Sequence, residues 1–302
     1  MARQRAGRQR WLVPSALVGV AVVWGVSFVV VKDATITMPT TEVVGWRFGI
    51  AAIVLAMIRP RSLLATSATT LKCGLVLGTL LGSGFLLCTQ GMRTTSVVAT
   101  AFIVGTTVVF APLFSWAWFR RTPTTRTALA ISLAVTGLAL LTLRGTAVGL
   151  GSLMILGAAA LWALHLCALE RWVQPDQAHH SALVQVSTAA LVALLVGRMT
   201  GTTVQLPDLT EGGSVLYLGA VATAAAFLAL TWAQSRIDAT TAAVLLTLEP
   251  VVGGAAAVAL GEPLTLVAVV GAAAVLGASV LVISRPPMGD QEKPLRSVPG
   301  AI

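Results

Sequence analysis

Few residues in this 302-residue chain can do polar chemistry, and the sharpest of them stand where burial is costly. Glu249 lies near the centre of an apolar run over residues 239–260. A carboxylate at such a depth costs about 2.5–3.5 kcal/mol on insertion scales. It can hold a proton in one conformation and release it in another, as proton coupling requires. It can equally stay neutral or pair with a buried base. Pro250 follows directly, and a proline inside a helix removes a hydrogen bond and clashes with the carbonyl four residues back. A kink or break is expected there, either lining a pathway or merely bending the helix, and Pro112 should act similarly in an earlier run. Arg47 is the one base deep inside an apolar span. It can bind an anionic group on a substrate, pair with Glu249, or anchor at the outer interface.

Trp24, Phe28, Trp162 and His165 fall where the first helix of each half of the chain would face a central cavity, with Trp162 and His165 sharing a helix face. Aromatic groups there can stack on a substrate or simply pack. Gln90, Gln185 and Glu170 are weaker candidates, because polar groups near helix ends also bond backbone or headgroups. His179 and His180 lack a third ligand at metal-binding spacing, and Cys73, Cys88 and Cys167 read as small hydrophobes in or beside apolar runs. No metal or cofactor is expected. Gly82-Ser83-Gly84 with His165 comes nearest to a nucleophile and base, but the Gly-x-Ser-x-Gly spacing is absent and no acid is placed to orient the histidine. No catalytic residue is assigned and the chain is not read as an enzyme.

The elements that would position these residues follow from composition. Apolar residues make up 56% of the chain and charged ones 10%, against about a quarter charged in soluble domains. Apolar runs at 11–31, 74–92, 94–119, 145–169, 212–235 and 263–284 are each long enough to cross about 30 Å of hydrocarbon as a helix. Shorter or interrupted runs at 43–58, 127–143 and 181–197, with 239–260, bring the expected number to ten. Backbone in lipid must satisfy its own hydrogen bonds, and the alternation of a membrane barrel is missing, so the fold class is an all-α integral membrane protein.

Residues 1–10 carry four arginines and read as a basic cytoplasmic N-terminus before a retained first helix, since the run that follows exceeds a signal-peptide core. The net charge of +9 is spread between apolar spans instead of forming one patch, which argues against nucleic acid. With the N-terminus inside, fifteen Lys and Arg residues fall on inner connections and four on outer ones, as the positive-inside rule predicts. Both termini are then cytoplasmic in a multi-pass protein of the cytoplasmic membrane. Residues 285–302 read as a disordered cytoplasmic tail.

The chain also repeats. At an offset of 138, Gly19 meets Gly157, Trp24 meets Trp162, and Ala51 and Ala52 meet Ala189 and Ala190, while Leu77 and Gly78 meet Leu218 and Gly219 at 141. Five helices per half force the second copy to enter the membrane upside down, so the charge of its connections must reverse. The connection after the fourth helix holds Arg120, Arg121 and Arg126, whereas its counterpart holds Glu262 and no base. Two inverted five-helix repeats, over 11–143 and 149–284, place a substrate site at the midplane between them. Gly74, Gly78 and Gly82 recur every four residues and suit close helix packing, within one chain or in a homodimer.

Trp24-Gly25-Val26-Ser27-Phe28 with Lys32, Arg47 between Trp46 and Phe48, Ala160-Leu161-Trp162-Ala163-Leu164, and Leu248-Glu249-Pro250-Val251 followed by Leu260-Gly261-Glu262-Pro263-Leu264-Thr265 resemble, in order and spacing, the EamA-type drug/metabolite transporter superfamily. The chain departs from that pattern at Arg120-Arg121-Thr122, where an acidic residue would be expected. The resemblance implies a secondary transporter working without ATP, exporting small metabolites such as amino acids, or drugs, across the membrane by alternating access. The absence of a phosphate-binding loop agrees. The same resemblance accommodates an importer or exchanger, for instance of nucleotide-linked sugars. A non-transporting scaffold or an intramembrane enzyme are the readings from other classes.

Overall fold

The computed structural model describes residues 2–60, 67–120, 124–142, 149–202, 205–259 and 266–283. Leu260 to Thr265, with Glu262, and the tail from Ser284 onward lie outside the described residues, as do Arg121 and Thr122. Every regular element among the described residues is helical: α1 (Ala2–Thr37), α2 (Thr40–Ile58), α3 (Ala68–Met92), α4 (Val97–Gly105), α5 (Thr107–Phe119), α6 (Thr125–Thr142), α7 (Leu150–Trp172), α8 (Ala178–Met199), α9 (Leu209–Leu216), α10 (Ala226–Gln234), α11 (Ala239–Leu246), α12 (Leu248–Ala259) and α13 (Leu266–Ile283). A 3₁₀ turn, Pro175–Gln177, precedes α8, and a π-helical segment, Tyr217–Ala225, joins α9 to α10.

Eight helices among the described residues are long and apolar enough to cross a membrane. They include three of the shorter runs, now Thr40–Ile58, Pro175–Met199 and Ala239–Ala256. The helices α6 and α13 are not among the eight; the apolar stretch of α13 is the shorter Val269–Ala278. The chain is thus an all-α, multi-pass membrane protein. Its perimeter agrees, since Ile53, Met57, Leu153, Leu195 and Val270 are exposed large apolar side chains, a solvent contact that hydrocarbon makes favourable.

Capping explains several helix starts. Ser67, Ser96 and Asp238 accept from the amides of Thr70, Ala99 and Thr241 at 3.1, 3.2 and 2.8 Å, satisfying donors that a helix start leaves open. The expected breaks occur upstream of the prolines, at Thr106 and Thr247. At both, the threonine hydroxyl donates back to the carbonyl three residues earlier, Ile103 at 2.5 Å and Val244 at 2.6 Å. Pro250 therefore falls in the first turn of α12, where its missing N–H costs little. Pro112 sits inside α5.

The helices pack in a recurring set of pairs. α6 lies on α13, α3 on α7 and α8, α2 on α8, and α1 on α12. Gly74, Gly78 and Gly82 form the α3 side of its seam with α8, facing Val184, Gln185 with Thr188, and Ala189 so closely that no methyl would fit. That small-residue face is filled within the chain. The N-terminal end of α7 meets the C-terminal end of α3, where Gly151 packs against Gly91 and Thr94. The C-terminal part of α1 reaches that same end of α3, because Lys32 bonds the carbonyl of Met92. Hence α1 and α7 run in opposite directions.

Candidate functional site

Between these helices is a cavity of about 70 Å³, measured as room for the centres of water-sized spheres. At about 10–15 Å³ per water on that measure, it holds several waters or a small ligand. One stripe of α1, Trp24, Ser27, Phe28 and Val31, forms part of the wall. The spacing is that of one helix face. Trp162, His165 and Leu166 supply the matching stripe from α7. Gly25 lets α1 approach α12, since a methyl there would fall 2.8 Å from the Glu249 carbonyl oxygen.

Aromatic rings fill the middle. Phe85 of α3 lies 5.0 Å from Phe48, 4.8 Å from Trp162 and 5.9 Å from Phe227, measured between ring centroids. Trp24 lies 5.2 Å from Phe227. Their tilted and edge-on arrangements are those that ring quadrupoles favour.

Arg47 is only 3% exposed. Its Nε donates to the Thr223 hydroxyl at 2.6 Å and its Nη2 to the Ala222 carbonyl at 3.1 Å. The guanidinium carbon stands 4.5 Å from the centre of the Phe85 ring, a cation–π contact. An anchor at the outer interface is therefore not its role. The acceptors come from the π segment, whose wide turns leave carbonyls able to take extra donors. The Ala222 carbonyl also receives Trp24 Nε1 at 2.8 Å, and the Thr223 hydroxyl donates on to Leu218 at 2.7 Å.

Glu249 is 7% exposed and lines the cavity from the first turn of α12. The break at Thr247 puts the carboxyl at a helix N-terminus, where the dipole offsets part of the cost of burying its charge. No hydrogen bond or ion pair joins it to Arg47 among the described residues, and the guanidinium spends two of its donors on the π segment instead. His165 Nε2 donates to Gln185 Oε1 at 2.7 Å, and the Gln185 amide donates to Thr231 at 2.9 Å.

Six residues anticipated from sequence thus share one cavity wall: Glu249, Arg47, Trp24, Phe28, Trp162 and His165. Pro250, Pro112, Gln90, Gln185 and Glu170 are not part of the lining. Pro250 sets the start of α12, Gln185 orients His165, Gln90 accepts from Thr40 at 2.6 Å, and Glu170 accepts from the Ala239 amide at 2.9 Å. Among the described residues no three His, Cys, Asp or Glu side chains gather as metal ligands.

Phe85, Phe227, Cys88 and Thr89 also line the cavity, and Thr223 supports it. A sequence signal for the two phenylalanines exists. They match at an offset of 142, as do Thr89 with Thr231 and the caps Ser96 with Asp238, whereas Gly78 and Gly219 match at 141. The second half therefore holds one extra residue between Gly219 and Phe227, inside the stretch that the π segment occupies. A π turn is how a helix absorbs such an insertion.

Fold and cavity together define a multi-pass helical membrane protein with a largely apolar, centrally placed binding space. The chain belongs to the EamA-like transporter family, whose model matches residues 12–143 and 149–284. It is accordingly a membrane transporter of the secondary type, as sequence reading anticipated. Solved structures share the fold: one, described only as the crystal structure of a protein, superposes with a TM-score of 0.70 over 89% of this chain and 96% of its own, at 16% identity. No curated protein matches the chain by sequence.

Proposed function

We propose that the chain exports a small metabolite, an amino acid or related compound, or a drug across the cytoplasmic membrane, by alternating access of two inverted five-helix halves and with proton coupling at Glu249. The observation that carries this reading is Glu249 itself, a buried carboxyl facing a cavity with no hydrogen-bond partner among the described residues. Such a group is free to exchange between a proton and a substrate.

The inverted-repeat part draws support from packing. Exchanging the halves turns the contact of α3 with α8 into that of the π segment with α2, and both contacts occur. Gly78 meets the Gln185 carbonyl and Thr188, while Gly219 meets Arg47 and Ile50, the residues 138 positions earlier. The opposite directions of α1 and α7 fit the same scheme. Ten spans are reached when α4 with α5, α9 with α10, and α11 with α12 each count once and α6 and α13 both cross.

Transport into inverted vesicles under an imposed proton gradient tests the reading. Wild type should accumulate substrate as the gradient is applied. Glu249→Gln should bind substrate yet lose gradient-driven accumulation by at least about a hundredfold, the scale of removing a proton-transfer group. Unchanged accumulation in Glu249→Gln would sink the coupling role.

A further inference from the structure

The wall stripes on α1 and α7 do not stop at the cavity. Trp24 and Phe28 continue, four residues on, to Lys32, and Trp162 and Leu166 continue to Glu170. Both positions are eight residues past a matched tryptophan, and they differ by the same offset of 138. Because α1 and α7 run oppositely, these two residues reach opposite ends of the bundle.

Each meets the turn that joins the third helix of its own half to the fourth. The Lys32 ammonium donates to the carbonyl of Met92, to that of Thr95 at 3.1 Å and to that of Arg93 at 3.5 Å. These are carbonyls around the C-terminal end of α3, the negative end of its dipole. The Glu170 carboxylate, 1% exposed, accepts from the amide of Ala239, the first residue of α11 and a positive helix end. The charges are opposite because Lys32 meets the C-terminal side of its turn and Glu170 the N-terminal side of its own. Each side chain matches what it meets. At the Lys32 end the tie is reciprocal, for Arg93 of the α3 terminus donates back to the carbonyls of Thr35 and Met38 at 3.0 and 3.3 Å.

We infer that Lys32 and Glu170 are the paired gate latches of the transport cycle, each holding the first helix of its half against the third-to-fourth turn and so closing one mouth of the cavity. The inference rests on the alternating-access reading. Releasing Lys32 opens the end bearing Met92; releasing Glu170 opens the end bearing Ala239. In this structure both are engaged. Val31 and Met92, on the cavity wall, pack with Met38 in one apolar cluster, and Leu169, next to Glu170, packs with Leu17 and Leu55 in another.

Cys88 lines the cavity and serves as a native reporter. In a Cys73→Ser, Cys167→Ala background, a membrane-impermeant maleimide is applied to one face of the membrane at a time and labelling of Cys88 is timed. Lys32→Met should speed labelling about tenfold from one face only, the population shift that loss of one charge-assisted bond gives, and adding Arg93→Gln should speed it further from that face. Glu170→Met should do the same from the opposite face. Lys32→Arg and Glu170→Gln, which keep a donor and an acceptor, should label as slowly as the parent.

Unchanged labelling in Lys32→Met with Arg93→Gln, or in Glu170→Met, overturns the assignment. So does an equal rise from both faces, which is what a loosened or misfolded bundle gives. Labelling needs no substrate to move. If the wild type transports nothing while the sided labelling holds, the transport reading fails and the latches stand; the reverse result removes only the latches.

Discussion

Trp24 and Trp162 occupy matching places in the two halves, yet their indoles end differently. Trp24 Nε1 donates to the Ala222 carbonyl at 2.8 Å, whereas Trp162 Nε1 is buried without a hydrogen-bond partner among the described residues, its edge packed on Gly84. The second-helix residues diverge in the same way. Arg47 binds the π segment, while its counterpart Gln185 bridges His165 and Thr231. Both differences trace to one place. The third helix of the second half carries a π segment that offers spare acceptors, and α3 is a regular helix with none to offer. A scaffold built of two similar halves thus becomes chemically one-sided through the geometry of nine residues.

The difference between the two halves is lost most fully if the π segment is returned to a regular helix. Deleting Ala224 should strip Arg47 and Trp24 of their acceptors and cost about 3 kcal/mol or more, since buried donors, one of them charged, are left unsatisfied. Thermal unfolding of the detergent-purified protein reads this, and an unchanged midpoint would mean that the insertion does not position Arg47. Next in size are the two supporting hydroxyls. Thr223→Val, which removes an acceptor for a charged donor, should cost about 2 kcal/mol, and Thr231→Val, which removes a neutral partner of Gln185, about 1 kcal/mol. Equal costs would show that the halves are more alike than their contacts imply.

The tryptophans give the smallest effects. Trp24→Phe should lose about 1 kcal/mol beyond the change in packing, and Trp162→Phe close to none, because its N–H has no bond to lose. A larger loss at Trp162 than at Trp24 would reverse the comparison. Denaturant midpoints at constant slope are sensitive enough to rank the pair.

Much of the site is legible in the sequence. An isolated charge in an apolar run must be met by protein or a polar space, so Arg47 and Glu249 stand out by residue type and position alone, as do the stripe residues Trp24, Phe28, Trp162 and His165. Phe85 and Phe227 are hidden by register: a constant offset through the third helix misses them by one residue, and a π turn has no composition of its own. Sequence puts the helix breaks at the prolines, whereas they fall at Thr106 and Thr247. A proline disturbs the turn before it, through the carbonyl four residues back, so Pro250 starts a helix instead of bending one. Lys32 and Glu170 look like ordinary helix-end charges until the turns they meet are known. The end of the bundle each reaches follows from direction alone, but its backbone partner does not.

The extra residue in the third helix of the second half also sets a rule for recombination. Joining two first halves would bring Arg47 twice and Glu249 not at all, with no widened turn to receive either guanidinium. Joining two second halves would bring two carboxyls and no arginine to face them. Only the mixed tandem places one cation and one acid in the same interior, so neither half can be exchanged for a copy of the other.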